Sequence, residues 1–299
     1  MNSKNPKISV GMPVYNGETY LELAIKATLD QTFTDFELII SDNASTDRTE
    51  EICRDYATKD SRILYLRNSE NIGAAKNYNQ LFHKSSGQYF RWFNADDLCS
   101  NALHERCLEV MEANPGVVMC YGKTDIIDGQ GHLIKHYDDN LDLQHESVFD
   151  RFNTYFNVVG LTNAIYGLIR KSALGKTILM GDGSFPAADT NLMGELTLYG
   201  KFMEIPETLF YRRMHEEASS WDRKDDSIQQ KFWTGNDAKF VLPTFKKYRA
   251  YLKAIRESPN TPRDKMRMQK YILRRMVWVR GNIFRETCQA VAGKFIPNG

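Results

Sequence analysis

Five strand-like stretches separated by helix-like ones fill the first 121 residues. "KISVGMP", "FELIIS", "RILYLR", "QYFRWF" and "VVMCYG" are short apolar runs of strand length. Between them, "TYLELAIKATLDQ", Asp47 to Ala57, Gly73 to Lys84 and Asn101 to Ala113 read as helices. Thr19 with Glu22 makes a capping-box pattern ahead of the first helix, and Asp47 starts the second with acids in its first turn. Alternation at this period predicts βαβ units and a mostly parallel sheet. In such sheets the crossovers are right-handed, and ligands sit outside the carboxyl ends of the strands.

Those ends can be located in the sequence. "PVYNG" (Pro13 to Gly17) follows the first strand, "SDNASTD" (Ser41 to Asp47) the second, and "NADD" (Asn94 to Asp97) the fourth. The polar residues thus gather where this architecture builds a site. Beyond residue 121, Gly122 to Gln144 reads as polar and turn-rich, and Phe149 to Arg170 as mixed. "FPAADTNLMGELTLYG" reads as a loop entering a helix near Asp189. "KFMEIPETLFYRRMH" is strand-like with an interruption at Pro206. From about Ile228 onward the pattern is helical, with a break at "ESPNTPRD".

The 299 residues suit one large α/β domain or two smaller ones. A net charge of +1 argues against a nucleic-acid binder that acts through bulk charge. The charge is unevenly placed, however. Residues 239–299 hold fifteen Lys/Arg against three acids, a net +12, which leaves −11 for residues 1–238. The segment "KMRMQKYILRRMVWVRGNIFRETCQA" interleaves cations with apolar side chains. It could lie on an anionic membrane surface, or pack as a helical cap or oligomer contact. None of the five cysteines forms a C-x-x-C pair, which speaks against a thiolate zinc site. Their odd number, and an opening without a hydrophobic targeting region, fit a reducing compartment. The expected location is the cytoplasm, including the inner face of the cell membrane.

Each motif has a chemical reading and a plain structural one. Adjacent Asp96 and Asp97 could hold Mg²⁺ or Mn²⁺ through oxygen ligands, or could favour the dipole of the following helix. Asp42 could accept hydrogen bonds from a nucleobase or ribose, whereas Thr46 and Asp47 read as helix caps. Lys76, one turn into a helix that starts near Gly73, could face a phosphate or could be an ordinary surface lysine. Asp189 could be a general base for an acceptor hydroxyl, or a cap. Arg212, Arg213 and His215 could neutralise a leaving diphosphate, with His215 as a metal ligand, or form a solvated basic turn.

In order and placement these motifs resemble family 2 glycosyltransferases of the GT-A fold. The likeness is carried by "ISVGMPVYNGETYLELAIKATLDQTFTDFELIISDNASTDRT" and covers about Ile8 to Ser220. The resemblance implies an inverting transferase that uses a nucleotide-diphosphate sugar, most often a UDP-sugar, and a divalent metal. It places Pro13, Tyr15 and Asp42 in the nucleoside pocket, Asp96 and Asp97 at the metal motif, Asp189 as the base and His215 near the diphosphate. It divides the chain into a donor-binding half (1–121), an acceptor-binding half (122–220) and a basic helical extension (221–299).

Three positions depart from the family pattern. Asn94 stands where the family often has the first Asp of D-x-D-D, Asn43 where it often has a second Asp, and Ala188 where it often has a Glu. No Q-x-x-R-W motif or membrane span marks a processive polymerase. The implied product is a single transfer to a saccharide or lipid-linked acceptor, in cell-surface polysaccharide or glycolipid synthesis. A non-catalytic nucleotide-sugar or glycan-binding module is the alternative that Asn43 and Asn94 favour.

Overall fold

The computed structural model describes residues 5–216, 232–235 and 242–295. Its centre is a nine-stranded mixed sheet in the order β3-β2-β1-β4-β8-β6-β9-β5, with β7 paired to β6. The strands are β1 (Ile8–Val14), β2 (Phe36–Asp42), β3 (Ile63–Arg67), β4 (Tyr89–Trp92), β5 (Leu98–Cys99), β6 (Val117–Ile127), β7 (Leu133–Tyr137), β8 (Leu168–Arg170) and β9 (Lys201–Arg213). β1 runs parallel to β2 and β4, β2 to β3, and β6 to β9. β8 is antiparallel to both β4 and β6, so the six long parallel strands point their carboxyl ends to one edge.

The central strands bury both faces, as crossover helices require. β1 is buried at all seven positions. On one face α1 (Leu21–Leu29), α2 (Thr49–Lys59) and α4 (Leu103–Ala113) cover Val10, Met12, Leu38 and Ile40. On the other, α3 (Ala74–Lys84), α5 (Val148–Val158), α6 (Lys171–Leu174) and α7 (Ala188–Leu196) cover Ile39, Phe90, Trp92 and Met119. The alternation of Leu38, Ile39 and Ile40 between the two layers is the period-two signature of a doubly covered strand.

Several expectations need correction. No side-chain cap forms ahead of α1, because its N-cap is Tyr20 rather than Thr19, which puts Glu22 one position short of the capping-box place. Gly122 to Gln144 is turn-rich but holds two strand segments: β6 continues to Ile127 and turns through Asp128 into β7. β7 was hidden because Leu133 and Ile134 are exposed on an outer strand, so no burial pattern marks it. Nor does Pro206 end β9. Ile205 pairs with Gly122 and Thr208 with Lys123, so Pro206 and Glu207 bulge out of register where a missing N–H costs nothing. Gly122 is required opposite the bulge, since a Cβ there would come within 2.5 Å of the Leu209 Cβ.

The basic extension folds as α8 (Pro243–Glu257), α9 (Pro262–Trp278) and α10 (Arg280–Phe295), broken at the expected "ESPNTPRD". Its start near Ile228 lies outside the described residues. Tyr251, Ala254 and Ile255 of α8, with Met268 and Ile272 of α9, pack on Val148 and Phe152 of α5 and on Leu198. A fully buried side chain of this size contributes about 1.5–3 kcal/mol, which anchors the extension to the sheet domain. Among the described residues no helix is long and apolar enough to cross a membrane.

Candidate active site

The "NADD" stretch leaves β4 at the edge where the parallel strands end. Asp96 and Asp97 point to different places. Asp97 turns inward and is 3% exposed. Its Oδ1 accepts from the Arg213 backbone N–H at 2.8 Å and its Oδ2 from Asn94 Nδ2 at 3.2 Å. Burial, with Asp96 next to it, raises its pKa well above the ordinary aspartate value. The Asp96 side chain remains one-third exposed, and its Oδ2 lies 3.1 Å from His215 Nε2. The His215 ring packs on Tyr20 with centroids 4.8 Å apart.

Arg213 is the staple of this corner. It is buried, and its Nε donates to the Asp96 carbonyl at 2.8 Å. Its Nη1 donates to the carbonyls of Asp128 and Gly129, and its guanidinium lies 4.7 Å from the Tyr20 ring centre. With three of its five N–H donors on backbone carbonyls, Arg213 shapes this corner of the site. Arg212, half-buried, donates to Asn163 Oδ1 at 2.6 Å.

Asn94 explains one departure from the family pattern. Its amide accepts from the Tyr78 hydroxyl at 2.6 Å and donates to Tyr166 at 2.8 Å as well as to Asp97. A carboxylate here could not donate to Asp97, and would add a third negative charge. Tyr78 and Tyr166 form the hub between the acids. Burial raises both phenols, and the charges of Asp97 and Asp189 raise both further, as does Asp96 for Tyr78. Asp189 is tied to the same corner as the "NADD" acids, although more than ninety residues away in sequence: Thr162 donates to Asp189, its neighbour Asn163 accepts from Arg212, and the next residue, Arg213, holds Asp97.

Asp189 sits in the first turn of α7, entered through Ala187 in the left-handed region at φ 58°. Its Oδ1 accepts from the Thr190 N–H at 2.8 Å and its Oδ2 from the Thr162 hydroxyl at 3.3 Å.

The second group lies at the ends of β1, β2 and β3. Asp42 is fully buried and accepts from Ser45 N–H and from the Tyr65 hydroxyl, both at 2.8 Å. Arg67, at the end of β3, stands 3.6 Å away. Each Asp42 oxygen thus accepts one of these bonds and keeps a second lone pair. Pro13 pairs in register with Ser41, and Tyr15 beyond it is half-exposed. Asn43 accounts for another departure: its amide donates to Asn71 at 2.8 Å and accepts from Asn68 and from the Ile72 N–H. An Asp could not donate to Asn71. Lys76 is exposed in the first turn of α3. Gly73 ahead of it has φ 82°, and a Cβ there would lie 2.4 Å from the Thr234 carbonyl carbon. Residues 232–235 therefore rest directly on this loop.

Among the described residues no three His, Cys, Asp or Glu side chains form a metal cage. Asp96 and His215 are nonetheless a fitting pair of donors for a cation that takes its other ligands from water and phosphate oxygens. Arg67, Tyr78, Thr162 and Tyr166 were not found from sequence. Arg67 ends β3 as Asp42 ends β2, so the strand-end rule marks it as well.

The family model described as "Glycosyl transferase family 2" matches residues 9–177. The chain belongs to that family. It is 34% identical over 134 residues to a GalNAc(5)-diNAcBac-PP-undecaprenol beta-1,3-glucosyltransferase of Campylobacter jejuni, covering 44% of this chain and 42% of that protein. The chain spans about half the length of the curated relatives it matches. Among solved structures, S. aureus TarS 1-349 in complex with UDP-GlcNAc superposes with a TM-score of 0.65 at 17% identity, covering 90% of this chain and 72% of that one. The mannosyltransferase PcManGT of Pyrobaculum calidifontis, in complex with GDP-Man and Mn²⁺, gives 0.54 at 15%, covering 97% and 76%. At such identities these likenesses establish the fold, a GT-A type sheet flanked by helices.

Proposed function

We propose that this family 2 member is an inverting glycosyltransferase that moves one sugar from a nucleotide-diphosphate sugar to an acceptor hydroxyl. The observation that carries the reading is the hydrogen-bonded corner that joins these groups: His215 meets Asp96, the Arg213 N–H meets Asp97, and Arg212 beside it donates to Asn163, whose neighbour Thr162 donates to Asp189. Residues 1–121 supply the donor side: Pro13 and Tyr15 line the nucleoside pocket, Asp42 offers its free lone pairs to the base, and Lys76 lies toward the phosphates. Residues 122–220 supply the acceptor side. A uridine donor is favoured by the family, and by the UDP-GlcNAc bound to TarS. A lipid-linked or cell-surface saccharide acceptor is favoured by the undecaprenol-linked substrate in the name of the Campylobacter relative.

Asp96 and His215 would hold the divalent cation, with Asp97 behind them keeping the turn in shape. A mixed oxygen and imidazole donor set suits Mn²⁺ better than Mg²⁺. The cation would supply charge neutralisation at the leaving diphosphate. Asp189, oriented by Thr162 and Thr190, takes the proton of the acceptor hydroxyl. That oxygen attacks the anomeric carbon on the side opposite the nucleotide, and the single displacement inverts the configuration.

Release of nucleoside diphosphate from a panel of UDP- and GDP-sugars, with Mn²⁺ and mixed acceptors, tests this. Asp189→Ala is expected to lower turnover about a hundredfold to ten-thousandfold, as loss of a general base does. Asp189→Asn, whose carbonyl can still accept from the Thr190 N–H while its NH₂ donates to the Thr162 hydroxyl oxygen, should be equally impaired and close to wild type in stability. Wild-type turnover in Asp189→Ala, or a product of retained configuration, would remove the mechanism.

A further inference from the structure

The outward face of α9 and α10 is not absorbed by the transfer reaction. α9 buries Met268 and Ile272, four residues apart, against the domain. Its opposite side carries two adjoining stripes at helical spacing. One is basic: Arg263, Lys270 and Arg274 are exposed, and at its edge the exposed Arg267 lies over the Phe149 ring of α5, 4.1 Å from its centre. The other is apolar: Met266, Leu273 and Val277, the last 59% exposed. Trp278 follows at 85% and Phe284 of α10 at 72%, flanked by the exposed Arg280 and Arg285. The two acids of these helices are directed elsewhere. Asp264 accepts from the Thr261 hydroxyl at 2.7 Å, and Glu286 takes the Thr244 N–H at 3.1 Å. None of these six exposed cations meets a carboxylate among the described residues.

We propose that this face docks on an anionic lipid bilayer, with α9 lying in the plane of the interface. Trp278, Val277, Leu273 and Phe284 would enter the headgroup–acyl boundary, and the cations would meet lipid phosphates. Charge complementarity selects this occupant. A two-fold contact between copies would set the six cations against themselves, whereas an anionic surface matches them. The rest of the chain, at −11, leaves no competing basic excess. α9 packs on α5 and α8, and Tyr251 of α8 bonds to Thr190, next to Asp189. Docking would therefore hold the acceptor side of the pocket near the bilayer. That consequence rests on the proposed transfer to a lipid-linked acceptor; the docking itself does not.

Flotation of the full chain with phosphatidylcholine vesicles, with and without phosphatidylglycerol, tests it without any activity readout. The protein is expected to float only with the anionic vesicles, and less as salt is raised. Lys270→Glu/Arg274→Glu/Arg280→Glu should lower partitioning by roughly fivefold per lost cation or more. Trp278→Ser/Phe284→Ser should also lower it, with the melting temperature of both variants unchanged. No flotation with anionic vesicles, equal flotation with neutral ones, or wild-type flotation of the triple variant would overturn the proposal. So would a dimer in light scattering that these substitutions abolish in a protein that does not float, which would assign the face to a second copy. Loss of sugar transfer with intact flotation would count against the enzymatic reading alone.

Discussion

Glu195 on α7 shows how burial sets the behaviour of single acids in this protein. It is 1% exposed, and burial lifts its pKa to about 7, although the Ile178 N–H and Asn191 Nδ2 both favour the charged form. The folded pKa lies above the unfolded value of about 4.3. The contribution to stability is therefore complete below pH ~4.3 and lost as pH rises through about 7. Glu195→Gln removes this titration. Its amide can accept from Ile178 and donate to Asn191 Oδ1, which is buried without a partner, once the Asn191 amide turns over. Urea unfolding should show the variant as stable as wild type or more so at pH 8, with a flatter profile from pH 5 to 8. A variant less stable than wild type at pH 8 would show that the charged form is the one the fold requires. Asp97 follows the same physics, but lies where a bound cation would offset it.

The helix that carries Asp189 is held from two sides. Tyr155 of α5 and Tyr251 of α8 both donate to the Thr190 carbonyl, at 2.6 and 3.2 Å. Either Tyr→Phe change removes one of the two side-chain donors to this helical carbonyl and should cost about 0.5–1.5 kcal/mol. Tyr155→Phe/Tyr251→Phe removes both, and should cost more than the two single changes together in a double-mutant cycle. Strict additivity in thermal or urea unfolding would mean that the two bonds do not share a load. The βαβ elements beneath this clamp were legible because apolar period and turn chemistry agree from Ile8 to Ala113. β5, β7 and the passage of β9 through Pro206 were not. Two residues carry no period, an exposed strand carries no burial pattern, and a bulge shows only once its partner strand is known.

Across the whole molecule, the net charge is divided, −11 over residues 1–238 and +12 over 239–299, and the candidate site lies at the edge of one sheet. The rule that ligands meet the carboxyl ends of parallel strands placed Asp42, Asp96 and Asp97 correctly at that edge, and the helix-start pattern placed Asp189. It could not show that Asp97 faces inward while Asp96 remains open, because adjacent residues in a turn have no fixed period. Nor could it find Tyr78 and Tyr166, whose roles depend on burial beside acids from distant segments. The central claim is that Asp96 with His215 forms a metal-dependent seat for a nucleoside diphosphate, separate from the base Asp189. The measurement to make first is the melting temperature with UDP and GDP, each with and without Mn²⁺, for wild type, Asp96→Ala and Asp189→Ala. At about a hundredfold excess over Kd, binding should raise it by about 3–8 °C. The shift should require Mn²⁺, vanish in Asp96→Ala and persist in Asp189→Ala. A shift with nucleotide that ignores Mn²⁺ and survives Asp96→Ala, or no shift in wild type with any nucleotide, would contradict it.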